Sequence, residues 1–160
     1  MPKMQRRAFM ALAATALIAG SAYTMWPSKL SAANQKIFSG STPGVAINGY
    51  DTVAYHTQGK PVLGSAEHAY RWGGSVWHFA SAENVEKFSA DPAKFAPQYG
   101  GYCAYAAAKG YVAKTEPDAF SLVNGKLYLN YDQNVKKLWD GDQTAFIKAA
   151  DGKWPEVSKQ

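Results

Sequence analysis

The chain has 160 residues, 47% of them hydrophobic and 18% charged, the balance of a folded globular protein with room for one core of ordinary size. Four of its 17 Lys and Arg (Lys3, Arg6, Arg7 and Lys29) precede residue 34 in a stretch without an acid, so the formal charge of +5 falls to +1 beyond it, 13 bases against 12 acids. A nearly neutral domain with no basic run excludes an electrostatic footprint for nucleic acid, and a single cysteine excludes an internal disulfide framework.

Residues 1–33 open with a basic segment and continue into an alanine-rich apolar run. Arg6-Arg7-x-Phe9-Met10 is similar to the twin-arginine export motif, and the modest hydrophobicity of the run fits that route better than a leucine-rich signal. Small-x-small cleavage sites end at Ala22 and Ala33. The uncharged stretch from Ala8 to Ser28 is long enough to span a bilayer, so an uncleaved N-terminus would serve as an anchor. The expectation is an exported, periplasmic protein, with membrane attachment if the leader is retained. Residues 34–49 are polar, with Gly and Pro, and read as a linker or extended arm.

Residues 50–155 carry the domain. Tyr50 to His56 reads as a strand, with Val53 and Tyr55 on one face and Ala54 and His56 on the other. Glu67 to Ala80 reads as a hairpin: His68, Tyr70 and Trp72 share a face of its first strand, Trp77 and Phe79 share a face of its second, and Gly73-Gly74 supplies the positive φ values of a two-residue turn. Ser81 stands where a helix N-cap belongs, Val85 and Phe88 follow on one side, and Asp91-Pro92 stops the helix.

In PQYGGYCAYAAAKG, residues 97–110, three tyrosines bracket Cys103, and the small residues Ala104 and Ala106 to Ala108 predict a short, closely packed helix closed by Gly110. Phe120 to Asn130 is a hairpin about Asn124-Gly125. Two helices then start at Asp132 and Asp142, with Val135, Leu138 and Trp139 in the first and Phe146, Ile147 and Ala150 in the second facing the sheet. Gly152 and Pro155 end the ordered part. No internal repeat is visible. Strands with peripheral helices predict an α+β domain, a small mixed or antiparallel sheet built from hairpins.

The run AYRWGGSVWHFASAENVEKFSADPAKF resembles the YHS domain, whose usual form is Y-x-G-x-x-Y-x-F-C-S-x-x-C-x-x-x-F-x-x-D-P-x-K-Y after a D-P-V-C-G opening. Asp51-Thr52-Val53-Ala54 matches the opening, and the family cysteines fall on Ala54, Ala80 and Asn84. With YGGYCAYAAAKG and LVNGKLYLN downstream, the chain resembles the exported, cysteine-poor branch of YHS-domain proteins. The resemblance implies metal handling, although all three thiolates of the metal-binding version are missing.

His56 and His78 each lie two residues from a family cysteine position, and imidazole suits copper, zinc, nickel or iron. Together with Cys103, and with His68 as a supporting partner, they form the candidate metal set, copper preferred. Tyr99, Tyr102 and Tyr105 leave haem as a less favoured ligand, and no CxxCH motif exists for covalent attachment. Cys103 alternatively reads as a small buried residue or a reactive thiol. No phosphate loop, nucleophile elbow or HExxH helix points to catalysis. The expected function is non-enzymatic binding of a transition-metal ion or a metal-containing ligand. The alternative is a degenerate YHS domain acting as a metal-free structural or protein-interaction module.

Overall fold

A computed structural model of the protein describes residues 36–160. The leader, its cleavage sites and the anchor expected of residues 1–33 lie outside the described residues. The segment expected to be a linker or arm is folded onto the domain from Lys36 onward. The Phe38 N–H donates to the Gly100 carbonyl (2.9 Å), and the Ile47 N–H donates to the Phe38 carbonyl (2.7 Å). Ile47 is buried in the core, and an apolar side chain so placed ties the segment down.

The segment expected to be the first strand is instead a helix, α1 (Thr52–Gln58). Thr52 to Tyr55 are all buried, so the side chains alternate in chemistry without one face meeting water, and a period of two carries no information there. Local signals decide it. The Asp51 carboxylate accepts from the N–H groups of Val53 and Ala54, and Gly59 closes the helix at φ 66°.

The first hairpin forms as expected from β1 (Ser65–Trp72) and β2 (Ser75–Phe79). Gly73 and Gly74 turn it with φ of 62° and 83°, pairing Tyr70 with Trp77 and Trp72 with Ser75. Trp77 and Phe79 point into the core, where both meet the Phe88 ring at 5.0 Å. Phe88 comes from α2 (Ala82–Ala90), capped by Ser81 as its sequence requires. After Asp91 a single helical turn follows, α3 (Pro92–Phe95).

Next comes α4 (Ala104–Lys109), closed by Gly110 at φ 100°. The second hairpin, β3 (Phe120–Val123) with β4 (Lys126–Leu129), turns at Asn124-Gly125. The two hairpins remain separate two-stranded antiparallel sheets, so the fold is α+β with both ladders antiparallel.

Two helices complete the chain, α5 (Gln133–Asp140) and α6 (Gln143–Val157), capped by Asp132 and Asp142. Trp139 is fully buried, but Leu138, expected to face the sheet, is 59% exposed. One residue of helix is a rotation of about 100°, so the two cannot share a face. Phe146, Ile147 and Ala150 pack mainly toward α4, whose alanines permit a close approach, in a cluster that Val123 and Tyr128 of the second hairpin also join. α6 also runs through Gly152 and Pro155, which were expected to end the order. Trp154 lies against the rings of Tyr99 (5.6 Å) and Tyr102 (6.2 Å), and Val157 is buried; this packing outweighs the local helix-breaking preference.

Candidate functional site

The positions at which family cysteines align converge on one buried group, the carboxylate of Asp51. Its Oδ1 accepts from the N–H of Val53 (2.8 Å) and of Ala54 (3.1 Å). Its Oδ2 accepts from the N–H of Ala80 (2.8 Å) and from Nδ2 of Asn84 (2.7 Å). Asp51 is wholly inaccessible to solvent, and Asn84 is 7% exposed. A carboxylate out of water is stable only if its oxygens are satisfied, and four donors satisfy these. Three separate pieces of chain supply them: the start of α1, the end of β2 and the first turn of α2. Ala54, Ala80 and Asn84 are thus brought together, and the space between them belongs to a protein carboxylate. From the sequence Asp51 stands out only as part of a motif; its signal, an acid where a helix N-cap belongs, is hidden by the strand expected over Tyr50 to His56.

The four residues expected to hold a metal are distributed differently. His56 lies in the last turn of α1, edge-on to Phe95 at 5.3 Å. Its Nε2 is buried without a hydrogen-bond partner. Burial lowers its proton affinity, Lys94 adds to the effect, and the Phe95 backbone opposes both. His78 is on β2, on the side away from Trp77 and Phe79, with Nδ1 over Gly49. His68 is half-buried where the register of β1 slips between Ser65 and Ala69.

Cys103 caps α4 and is 1% exposed. Its Sγ is 3.7 Å from Asn130 Oδ1 and accepts from the Ala106 N–H at 3.5 Å. Burial pushes the thiol up, against backbone N–H groups of Ala106, Tyr131 and Tyr105 that favour the thiolate. Among the described residues, no three His, Cys, Asp or Glu side chains stand together in a group that could hold a metal ion. His56, His78 and Cys103, with His68, are thus not gathered into one group of three.

The tyrosines considered for a planar ligand are engaged with the protein's own rings. Tyr99 packs on Tyr128 and Trp154, Tyr102 on Phe38 and Trp154, and Tyr105 on Phe146. The Tyr99 hydroxyl donates to Asp151 Oδ1 at 2.8 Å; burial and that carboxylate both hold the phenol protonated. A cleft of about 470 Å³ opens between the N-terminal arm at Phe38, Ser41 and Asn48 and the loop Lys114–Pro117.

This arrangement, a capped helix, a glycine-turned hairpin and a second capped helix closed over one buried carboxylate, defines a small α+β unit. Residues 53–99 match the family model of the YHS domain. That match supports assigning this segment to the YHS family, which is associated with metal handling. No curated protein and no solved structure shows significant similarity to the chain. No helix among the described residues is long and apolar enough to cross a membrane.

Proposed function

We propose that the protein is an exported, periplasmic YHS-domain protein that works as a non-enzymatic protein-interaction module, without a metal at the family position. The observation that carries this reading is that the three family cysteine positions hold Ala54, Ala80 and Asn84, without a thiolate among them, and that their backbone and amide N–H groups are turned, with that of Val53, onto the Asp51 carboxylate. A metal there would have to displace those donors. Four of the five large apolar side chains left exposed among the described residues, Tyr111, Leu122, Tyr131 and Leu138, belong to the second half of the fold. Side chains of this kind supply the contact area of protein interfaces. The basic, alanine-rich leader supports export by the twin-arginine route, or retention as an anchor.

A second reading keeps the transition metal, copper first, at a histidine site. It is favoured by one feature, the buried and unpartnered Nε2 of His56, a neutral imidazole nitrogen of the type that ligates copper. Elemental analysis with an optical spectrum, on protein purified from its native periplasm without chelator, separates the two. The interaction reading predicts no stoichiometric metal. Near-stoichiometric copper, zinc or haem iron that a His56→Ala/His78→Ala/Cys103→Ala variant loses would overturn it.

A further inference from the structure

The fold contains the same sequence of events twice. A turn at Ile47, Asn48 and Gly49, with φ of 53°, 53° and 78°, recurs at Tyr99, Gly100 and Gly101, with φ of 54°, 61° and 82°. Each turn is closed by the same bond, Tyr50 N–H to Ile47 carbonyl and Tyr102 N–H to Tyr99 carbonyl, both 3.0 Å. Each leads to a helix, α1 and α4, ended by a left-handed glycine, Gly59 and Gly110. The N–H of each capping residue is held by the chain returning from its helix: Asp51 by the Val62 carbonyl (2.8 Å), Cys103 by the Ala113 carbonyl (3.1 Å).

From Gly59 and Gly110 onward the correspondence runs at a constant offset of 51 residues. The hairpin β1–β2 turns at Gly73-Gly74 and β3–β4 at Asn124-Gly125; Tyr70 faces Trp77 as Ser121 faces Tyr128. Ser81 and Asp132 cap the next helices, and Phe88 and Trp139, equally buried, stand seven residues after each cap. The ring pairs Trp77–Phe88 and Tyr128–Trp139 match in separation (5.0 and 5.2 Å) and in tilt (33° and 37°). Asp91 and Asp142 then cap α3 and α6. Gly49-Tyr50, Ala54, Gly74, Asp91 and Phe95 reappear as Gly101-Tyr102, Ala106, Gly125, Asp142 and Phe146.

We infer that residues 47–95 and 99–146 are two copies of one turn–helix–hairpin–helix unit, and that Cys103 is the second copy's counterpart of Asp51, a positioning residue rather than a ligand or nucleophile. The match to the YHS family ends at Tyr99, where the second copy begins. Both residues cap the copy's first helix from inside the core, and both meet a buried asparagine: Asp51 accepts from Nδ2 of Asn84, and Cys103 lies against Oδ1 of Asn130. The polarity is reversed between copies, an acceptor facing an amide nitrogen in the first and a thiol facing an amide oxygen in the second. Ala80, whose N–H binds Asp51, corresponds to Tyr131, whose backbone N–H favours the Cys103 thiolate. The family cysteine positions Ala54, Ala80 and Asn84 recur as Ala106, Tyr131 and Val135, so neither copy carries a thiolate there.

The duplication predicts the outcome of an unusual substitution. A carboxylate installed at a lone buried cysteine is ordinarily ruinous, because it leaves a charge unpaired. In Cys103→Asp it would instead meet the Ala106 N–H from which the sulfur now accepts and, once the Asn130 amide turns over from the pose in which its Oδ1 faces the sulfur, an Nδ2 that at present is buried without a partner. Thermal melting of wild type, Cys103→Ala and Cys103→Asp is the test, with the Tyr131 amide exchange rate and the Asn130 side-chain NMR resonances as a second readout. Cys103→Asp is expected to melt above Cys103→Ala and within about 5 °C of wild type, with the Asn130 Nδ2 protons shifted toward those of Asn84. A Cys103→Asp protein that melts no higher than Cys103→Ala, or that fails to fold, would overturn the equivalence. So would rapid exchange of the Tyr131 amide in the wild-type protein.

Discussion

Replacing Asp51 by alanine removes an acceptor from four donors at once, and the cost can be assembled from its parts. Two of the donors, the N–H groups of Val53 and Ala54, belong to the first turn of α1, and losing a helix cap of this kind costs about 1 kcal/mol. The other two, the Ala80 N–H and Asn84 Nδ2, are enclosed in protein, and stranding a buried donor costs about 1–3 kcal/mol each. The sum is about 3–7 kcal/mol, against a total stability of about 5–15 kcal/mol for a domain of this size. Asn84→Ala leaves the carboxylate with three donors and should cost less, about 1–3 kcal/mol. Equilibrium urea unfolding followed by tryptophan fluorescence suits both variants, since Trp77 lies in the same core. A loss below about 1 kcal/mol for Asp51→Ala would refute the claim that this carboxylate joins the start of α1, the end of β2 and α2.

Three further outcomes are expected. Cys103 should react with a thiol reagent only on the timescale of unfolding, because burial encloses the sulfur and keeps it protonated; labelling as fast in native protein as in denaturant would contradict this. His56 has a proton affinity lowered by folding, so the unfolded chain takes up its proton first on acidification. Stability should therefore fall as pH drops through the ordinary histidine value of about 6.5, and continue to fall until the folded imidazole itself protonates; His56→Leu should flatten that part of a urea-midpoint profile between pH 8 and 5. Gly64→Ala should cost about 1–3 kcal/mol, since a Cβ there would collide with the backbone of His78 and Phe79; a melting temperature equal to wild type would show that the loop before β1 can move aside.

Much of the fold was legible in the sequence because its punctuation is strong. Gly73-Gly74 and Asn124-Gly125 define their hairpins unaided, and Ser81, Asp132 and Asp142 each sit one residue before a helix that they cap. The first helix reads as a strand because Thr52 to Tyr55 are all buried, which hides the helical period over its first turn. The end of α6 was misplaced because Gly152 and Pro155 argue locally for termination, while Trp154 finds partners 50 or more residues away at Tyr99 and Tyr102.

The candidate site was legible only in outline. The motif placed Ala54, Ala80 and Asn84 as equivalents of family cysteines, but that Asp51 occupies the space they enclose depends on how three elements close in space. The repeat escaped notice because it is carried by backbone conformation, with few identical side chains beyond the turn glycines and caps. Asp51 and Cys103, chemically unlike, hold the same place in it.

The most direct test of the central claim is an NMR titration of the isotopically labelled protein with copper(II), and separately zinc, read at the Ala80 N–H and the Asn84 side-chain amide. With the family position occupied by the Asp51 carboxylate, both resonances should stay in place through one equivalent of metal. Their loss or displacement, saturating at one equivalent together with the His56 or His78 ring signals, would contradict it and restore a metal centre to this domain.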